Sequence, residues 1–173
     1  MNDMRKLIPI ILTIGCVIAS IVACTEDDDC SGNARHMMTA KILTMVQTDS
    51  AKWATSYSLD SLTVYAFGTD SIIINDETEV SSVRLPLRTN VEETTLVFSY
   101  TFHAGDTLPQ HNDKDTIVFR HINTPYFLTL DCNFVVKQEV TDLRYTTHVL
   151  DSIIIVNPTA SLDDGTENLK IYY

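Results

Sequence analysis

Alternation constrains this chain more than any other feature. Over 94–102 the apolar residues Leu96, Phe98, Tyr100 and Phe102 recur at every second position, and Thr95, Ser99 and Thr101 fall on the alternate ones. A helical period of 3.6 would scatter these side chains around a cylinder. A pleated strand puts the apolar set on one face and the hydroxyls on the other. Phe134, Val136 and Val140 alternate with Lys137 and Glu139 in the same way, and Leu169 and Ile171 flank Lys170. Runs at 38–46, 62–67, 83–87, 116–122 and 126–130 are rich in β-branched and aromatic residues and also read as strands. Residues 153–156 are apolar on both faces, which predicts a central strand covered on either side. Segment 50–57 reads as a short helical turn or a loop.

Turn signals separate these runs. Gly68-Thr69-Asp70, Ala104-Gly105-Asp106, His111-Asn112-Asp113, Asn157-Pro158 and Asp163-Asp164-Gly165 break the pattern at fairly even intervals. Asp-Ser or Asp-Thr pairs at Asp60, Asp70, Asp106, Asp115 and Asp151 precede apolar residues. A short Asp side chain bonds nearby backbone at a strand entrance, so the recurrence reads as turn chemistry and not as a domain repeat. About nine short strands without a long amphipathic helix predict an all-β fold. The expected architecture is an antiparallel two-sheet sandwich of immunoglobulin-like kind, with an up-and-down barrel as the alternative.

Residues 1–23 follow another logic. Arg5 and Lys6 precede an almost wholly apolar stretch from Leu7 to Val22, and Ile21-Val22-Ala23-Cys24 resembles a bacterial lipobox. Leu7 to Ala23, 17 residues interrupted by Pro9, sits at the lower edge of what spans a bilayer core of about 30 Å. Cleavage before Cys24 and acylation of that cysteine is the better reading. Acyl chains contribute about 0.8 kcal/mol per buried methylene, so several together hold firmly. The expected organisation is a lipoprotein signal peptide over 1–23, an acidic lipidated tether over 24–35 and one domain over 36–173. Thr25-Glu26-Asp27-Asp28-Asp29 resembles the signal that sends Bacteroidota lipoproteins to the cell surface. Outer-membrane anchoring with surface display is therefore expected, with the periplasmic face as the alternative. The acidic run lacks the spacing and central Gly of a calcium loop.

The chain after residue 23 has 150 residues, enough for one real core. Taking Asp3 from the 23 acidic residues, and Arg5 and Lys6 from the 12 basic ones, leaves 22 and 10, a net charge of −12. Such a surface repels nucleic acid and anionic headgroups alike, so the lipid must provide the anchoring. Cys16 leaves with the leader and Cys24 is acylated, which leaves Cys30 and Cys132 in a compartment where disulfides persist. A bond between them would close a loop of about 100 residues, valued at roughly 4.7 kcal/mol by chain entropy. Two cysteines without suitably spaced histidines do not build a metal site.

Several strand patterns together carry a resemblance. The acidic stretch leading to Cys30, the Val83-Arg84-Leu85-Pro86-Leu87 and Thr94 to Phe98 strands, the late Cys132, and the strands at Asp151-Ser152-Ile153 and Asn168-Leu169-Lys170-Ile171-Tyr172 are similar to those of a family of small β-rich Bacteroidota lipoproteins of unknown function. That resemblance brings no activity and no catalytic residue with it.

The chemistry-bearing residues do not assemble into a motif. His36, His103, His111, His121 and His148 lack metal-ligand spacing, no Gly-x-Ser-x-Gly elbow nominates a nucleophile, and Glu92-Glu93 and Asp163-Asp164 read as solvated carboxylates. Neither a metal nor a cofactor is expected. Trp53 and Tyr57, in a polar stretch, are the candidate ligand-binding residues, since an exposed aromatic ring stacks on a sugar or anchors a partner. The expected role is a non-catalytic binding or envelope-complex module whose partner is an envelope protein or a glycan. An exported enzyme with an unrecognised site is the alternative.

Overall fold

Residues 35–69, 71–101, 114–129 and 133–173 are described by a computed structural model, without the side chains of 128, 129 and 133. Cys24, Cys30, Cys132, His103 and His111 lie outside the described residues, as does the 1–23 leader. Among the described residues the alternation becomes ten strands: β1 (Met37–Gln47), β2 (Lys52–Ser56), β3 (Leu59–Ala66), β4 (Ile72–Val80), β5 (Ser82–Pro86), β6 (Glu93–Tyr100), β7 (Lys114–Thr129), β8 (Asn133–Tyr145), β9 (Ser152–Ile155) and β10 (Leu169–Tyr172). They form two five-stranded sheets. The first runs β2-β1-β10-β9 with β5 also on β1, and the second runs β4-β3-β6-β7-β8. All pairings are antiparallel except β1 with β10, where Ala40 stands opposite Leu169 and Leu43 opposite Tyr172.

The expected sandwich is thus present, and its core follows the period-two pattern. Met38, Ala40 and Ile42 of β1, Val83 and Leu85 of β5, and Leu169 and Ile171 of β10 face inward from the first sheet. Leu62 and Val64 of β3, Leu96, Phe98 and Tyr100 of β6, and Ile117 and Phe119 of β7 meet them from the second. On β1 the side chains between inward positions are more open: Lys41 is exposed between buried Ala40 and Ile42. Fully burying an aliphatic or aromatic side chain stabilises by about 1.5–3 kcal/mol, so these layers are the main favourable contribution.

Three local expectations are corrected. Segment 50–57 is not a helical turn or loop but the tight Thr48–Ala51 reversal and strand β2, whose Trp53 pairs with Val46 of β1. The run at 116–122 and the described part of the run at 126–130, residues 126–129, belong to the single strand β7, which continues through a register shift between Arg120 and His121. Residues 153–156 are not a central strand. Strand β9 is the edge of the first sheet, and Ile154 and Val156 are each 50 % exposed. Four apolar residues in a row cannot distinguish a covered strand from a short edge.

The edges are blunted. β9 has only four residues, and β4 carries Asp76 and Glu79 at φ of 47° and 56° with its register shifted against β3. Such irregularity interrupts the row of free backbone groups that would template another strand. Along β8, Pro158 accepts from the Val140 amide and the Ala160 amide donates to Gln138, after which Ser161 exchanges two bonds with Met37 of β1. Segment 158–161 therefore ties the edge of one sheet to the other.

Several polar groups are buried among the described residues, and Asp115 is the carboxylate among them. Asp115, fully buried near the start of β7, accepts the amides of His148 at 2.7 Å and of Val149 and Leu150 at 2.9 Å, and the Thr146 hydroxyl at 2.8 Å. Replacing Asp115 with Ala strips these buried donors of their acceptor and should destabilise the fold by about 3 kcal/mol or more. Thr146→Val removes one of the donors to Asp115, together with the acceptor of the exposed Thr116 amide at 2.9 Å, and should cost less, about 1–2 kcal/mol. Urea unfolding at pH 7 checks both, and equal midpoint shifts for the two variants would contradict the assignment.

Candidate functional site

At the β3–β4 turn the chain reverses through Gly68, whose φ of 74° lies in the left-handed region that glycine enters without a steric penalty. The turn is held locally. The Thr69 hydroxyl donates to the Ala66 carbonyl at 3.2 Å and accepts the Ser71 amide at 3.2 Å, and the Ala66 amide donates to the Ser71 carbonyl. Phe67 is pinned by its amide to the Thr95 carbonyl, and its ring stands 66 % exposed. Beside it opens a pocket of about 460 Å³ bounded by the turn, the end of β5, the start of β6 and Arg35.

The cationic wall is built from two distant segments. Arg35 reaches the Leu87 carbonyl with Nη2 at 2.9 Å. Arg88 follows directly in the chain, and its backbone is fixed on both sides. Its amide donates to the Thr94 hydroxyl at 2.8 Å, and its carbonyl accepts from Asn123 Nδ2 at 3.1 Å. The Arg88 side chain makes no ion pair among the described residues. Glu93 also lines the pocket and pairs with Arg120 at 3.4 Å on the open side. Both partners are about half exposed, so that pair contributes little to stability.

Behind Arg88 lies a buried relay. Asn123 Nδ2 donates to the carbonyls of Arg88, Thr89 and Val91, so its Oδ1 must be the acceptor toward His121 Nδ1 at 2.9 Å. His121 therefore carries its proton on Nδ1, and Nε2 accepts the Thr94 hydroxyl at 2.9 Å. His121 is 2 % exposed, and burial lowers its pKa below the usual 6.5, outweighing the Asn123 bond and the Glu92 charge. His36 is lowered for the same reason and bonds Tyr126 at 3.2 Å. The relay positions the 88–91 loop and does not touch the pocket's contents except through Thr94. A second hollow of about 450 Å³, wider open, lies between Val91, Arg120, Ile122 and Thr141.

Trp53 and Tyr57 lie elsewhere. Trp53 is 47 % exposed on the edge strand β2. Tyr57 stands 6.2 Å from the Tyr173 ring, which meets Tyr100 edge-on at 5.7 Å with the two hydroxyls 3.1 Å apart. Burial pushes the Tyr100 and Tyr173 phenols up, so both are neutral donors. Neither Trp53 nor Tyr57 is among the residues lining the pocket. The pocket's own residues, Phe67, Arg35 and Arg88, carry no local motif. An aromatic residue immediately before a turn glycine was the available signal for Phe67, since a bulky apolar side chain on a reversal is hard to bury.

A pH dependence follows. Both histidines bind a proton less readily folded than unfolded, so their contribution to stability is full above about pH 6.5 and declines as pH falls through 6.5 toward the lower folded values. Urea midpoints should therefore drop between pH 7.5 and 5.5. His121→Gln, neutral at both values, should show a shallower drop, and a slope identical to that of the parent would contradict the buried neutral tautomer.

Set against known proteins, one family model, described as a family of unknown function, matches residues 61–173. No curated protein matches the chain, and no solved structure does.

Proposed function

The chain belongs to that family of unknown function, DUF6452, and we propose that it is a lipid-anchored, surface-displayed binding module of the bacterial envelope that does not act by catalysis. The pocket beside Phe67 carries this reading. Its polar groups are two guanidiniums, hydroxyls and the Glu93 carboxylate, next to an exposed ring, which is the chemistry of recognition. Its position at one end of a sandwich suits that role, because loops on a rigid scaffold tolerate change while the strands hold them in place. Trp53, half exposed on β2, is proposed as a second contact for an envelope protein or glycan.

The tether reading is supported by the leader, the lipobox and the acidic run at Thr25 to Asp29. Acylation at Cys24 makes the membrane hold independent of the acidic body, which charge alone would keep away from anionic headgroups. The Bacteroidota origin and the disulfide between Cys30 and Cys132 belong to the same proposal, the bond fastening the tether to the domain.

Cys24→Ser should move the protein from the membrane fraction to the soluble one. Protease added to intact cells should cut the parent protein, and full protection would place it on the periplasmic face. Peptide mass mapping without reduction should give a Cys30–Cys132 cross-link, whereas alkylation of both thiols without reductant would exclude it. A substrate turned over by the purified protein, with the turnover abolished by one carboxylate or histidine substitution that leaves the fold intact, would replace the binding reading with the enzymatic one.

A further inference from the structure

We infer that the pocket beside Phe67 takes a hydroxylated carboxylate, a ligand of the chemical class of the sugar acids. This rests on the binding reading above and names what that site recognises. Arg35 and Arg88 put two guanidiniums on one pocket of a chain whose net charge is −11. Arg35 spends one N–H on the Leu87 carbonyl and keeps the rest of its fork, while Arg88 leaves from a backbone fixed on both sides with its whole fork available toward the pocket among the described residues. Glu93, the lining acid among the described residues, is matched by Arg120, so the lining carries surplus positive charge. Planar forks suit the two oxygens of a carboxylate, and such bonds are about twice as strong as neutral ones.

The rest of the wall selects what the carboxylate is attached to. Ser71 and Thr95 present hydroxyls for a polyol, and the open Phe67 ring offers an apolar surface for the C–H face of a pyranose. Glu93 beside the cations disfavours a dianion, which argues for a carboxylate over a phosphate. The volume of about 460 Å³ lies in the range of small-molecule sites.

Equilibrium dialysis of the full chain in neutral detergent micelles, with radiolabelled glucuronate, glucose and inorganic phosphate as probes, tests this. Glucuronate should saturate one site per chain and bind at least about ten-fold tighter than glucose. Arg88→Gln and Arg35→Gln should each weaken glucuronate about ten-fold, and Phe67→Ala several-fold. Phe134→Ala, at a 72 % exposed position on β8, should leave binding unchanged. Thermal melting of each variant shows whether it is folded. Equal binding of glucose and glucuronate, or an unchanged affinity in both folded arginine variants, overturns the acid assignment. Tighter binding of phosphate than of glucuronate overturns the carboxylate in favour of a simple anion site. Absence of saturable binding by all three probes overturns the inference as a whole, while the binding-module reading stands or falls by the turnover and display experiments.

Discussion

A carboxylate in the middle of an apolar sandwich must be surrounded by donors, and Asp115 sets where the chain can go. Three consecutive amides, His148 to Leu150, converge on its two oxygens together with the Thr146 hydroxyl. Consecutive amides point to one spot only when the backbone curls around it, so the 146–150 loop has one shape while the charge is present. That loop is the passage from β8 in the second sheet to β9 in the first. It delivers Leu150 into the core, and the next residue donates its amide to the Tyr172 carbonyl and starts the β9–β10 ladder. The Tyr100 phenol also bonds Asp115, and burial together with nearby charge keeps that phenol protonated. Breaking the site would leave several buried groups unmatched at once, which makes it a stronger constraint on geometry than on net stability.

The same device recurs with amides wherever the strands lose their neighbours. Asn168, fully buried just before β10, accepts the Thr39 amide through Oδ1 and donates through Nδ2 to the Asn157 and Thr159 carbonyls. It joins the parallel β1–β10 pair to the segment that covers β8. Asn123 gathers three carbonyls of the 88–91 loop, and Gln138 donates to the Leu87 carbonyl that Arg35 also reaches. Each side chain replaces ladder bonds at a point where the backbone departs from a sheet, as buried carbonyls and amides require. The pocket is a by-product of two of these points, one fixing Arg88 and the other holding Arg35.

How much of this could be read from the sequence depends on the range of the interaction. The period-two layers of β1, β6, β7 and β10 are local, and alternation disclosed them. Strand β4 was not anticipated, because its second half, Asn75-Asp76-Glu77-Thr78-Glu79, is polar on both faces and irregular in backbone. Strand β9 was placed in the centre of a sheet because three isoleucines look covered, although Ile154 faces outward. Asp115 fitted the Asp-Thr turn pattern, but the backbone it bonds lies over thirty residues away, not beside it. The pocket was illegible for the same reason. Arg35 and Arg88 line one pocket only because β5 pairs with β1 and Leu87, just after β5, comes within reach of Arg35, and no window of sequence contains that pairing.

A cationic pocket on so acidic a chain is a question of distance as much as of charge. At physiological ionic strength, fields from exposed carboxylates fade over about 8 Å, whereas guanidiniums in contact with a bound anion act almost unscreened. The general acidity therefore slows the approach of any anion without cancelling the attraction inside. An extended polyanion would have to lie across the repelling surface to put one charge in the pocket. A small monoanion avoids that cost. Net charge and pocket charge of opposite sign would thus work together as a filter, favouring a single acidic group presented at the Phe67 end over a ligand with many charges.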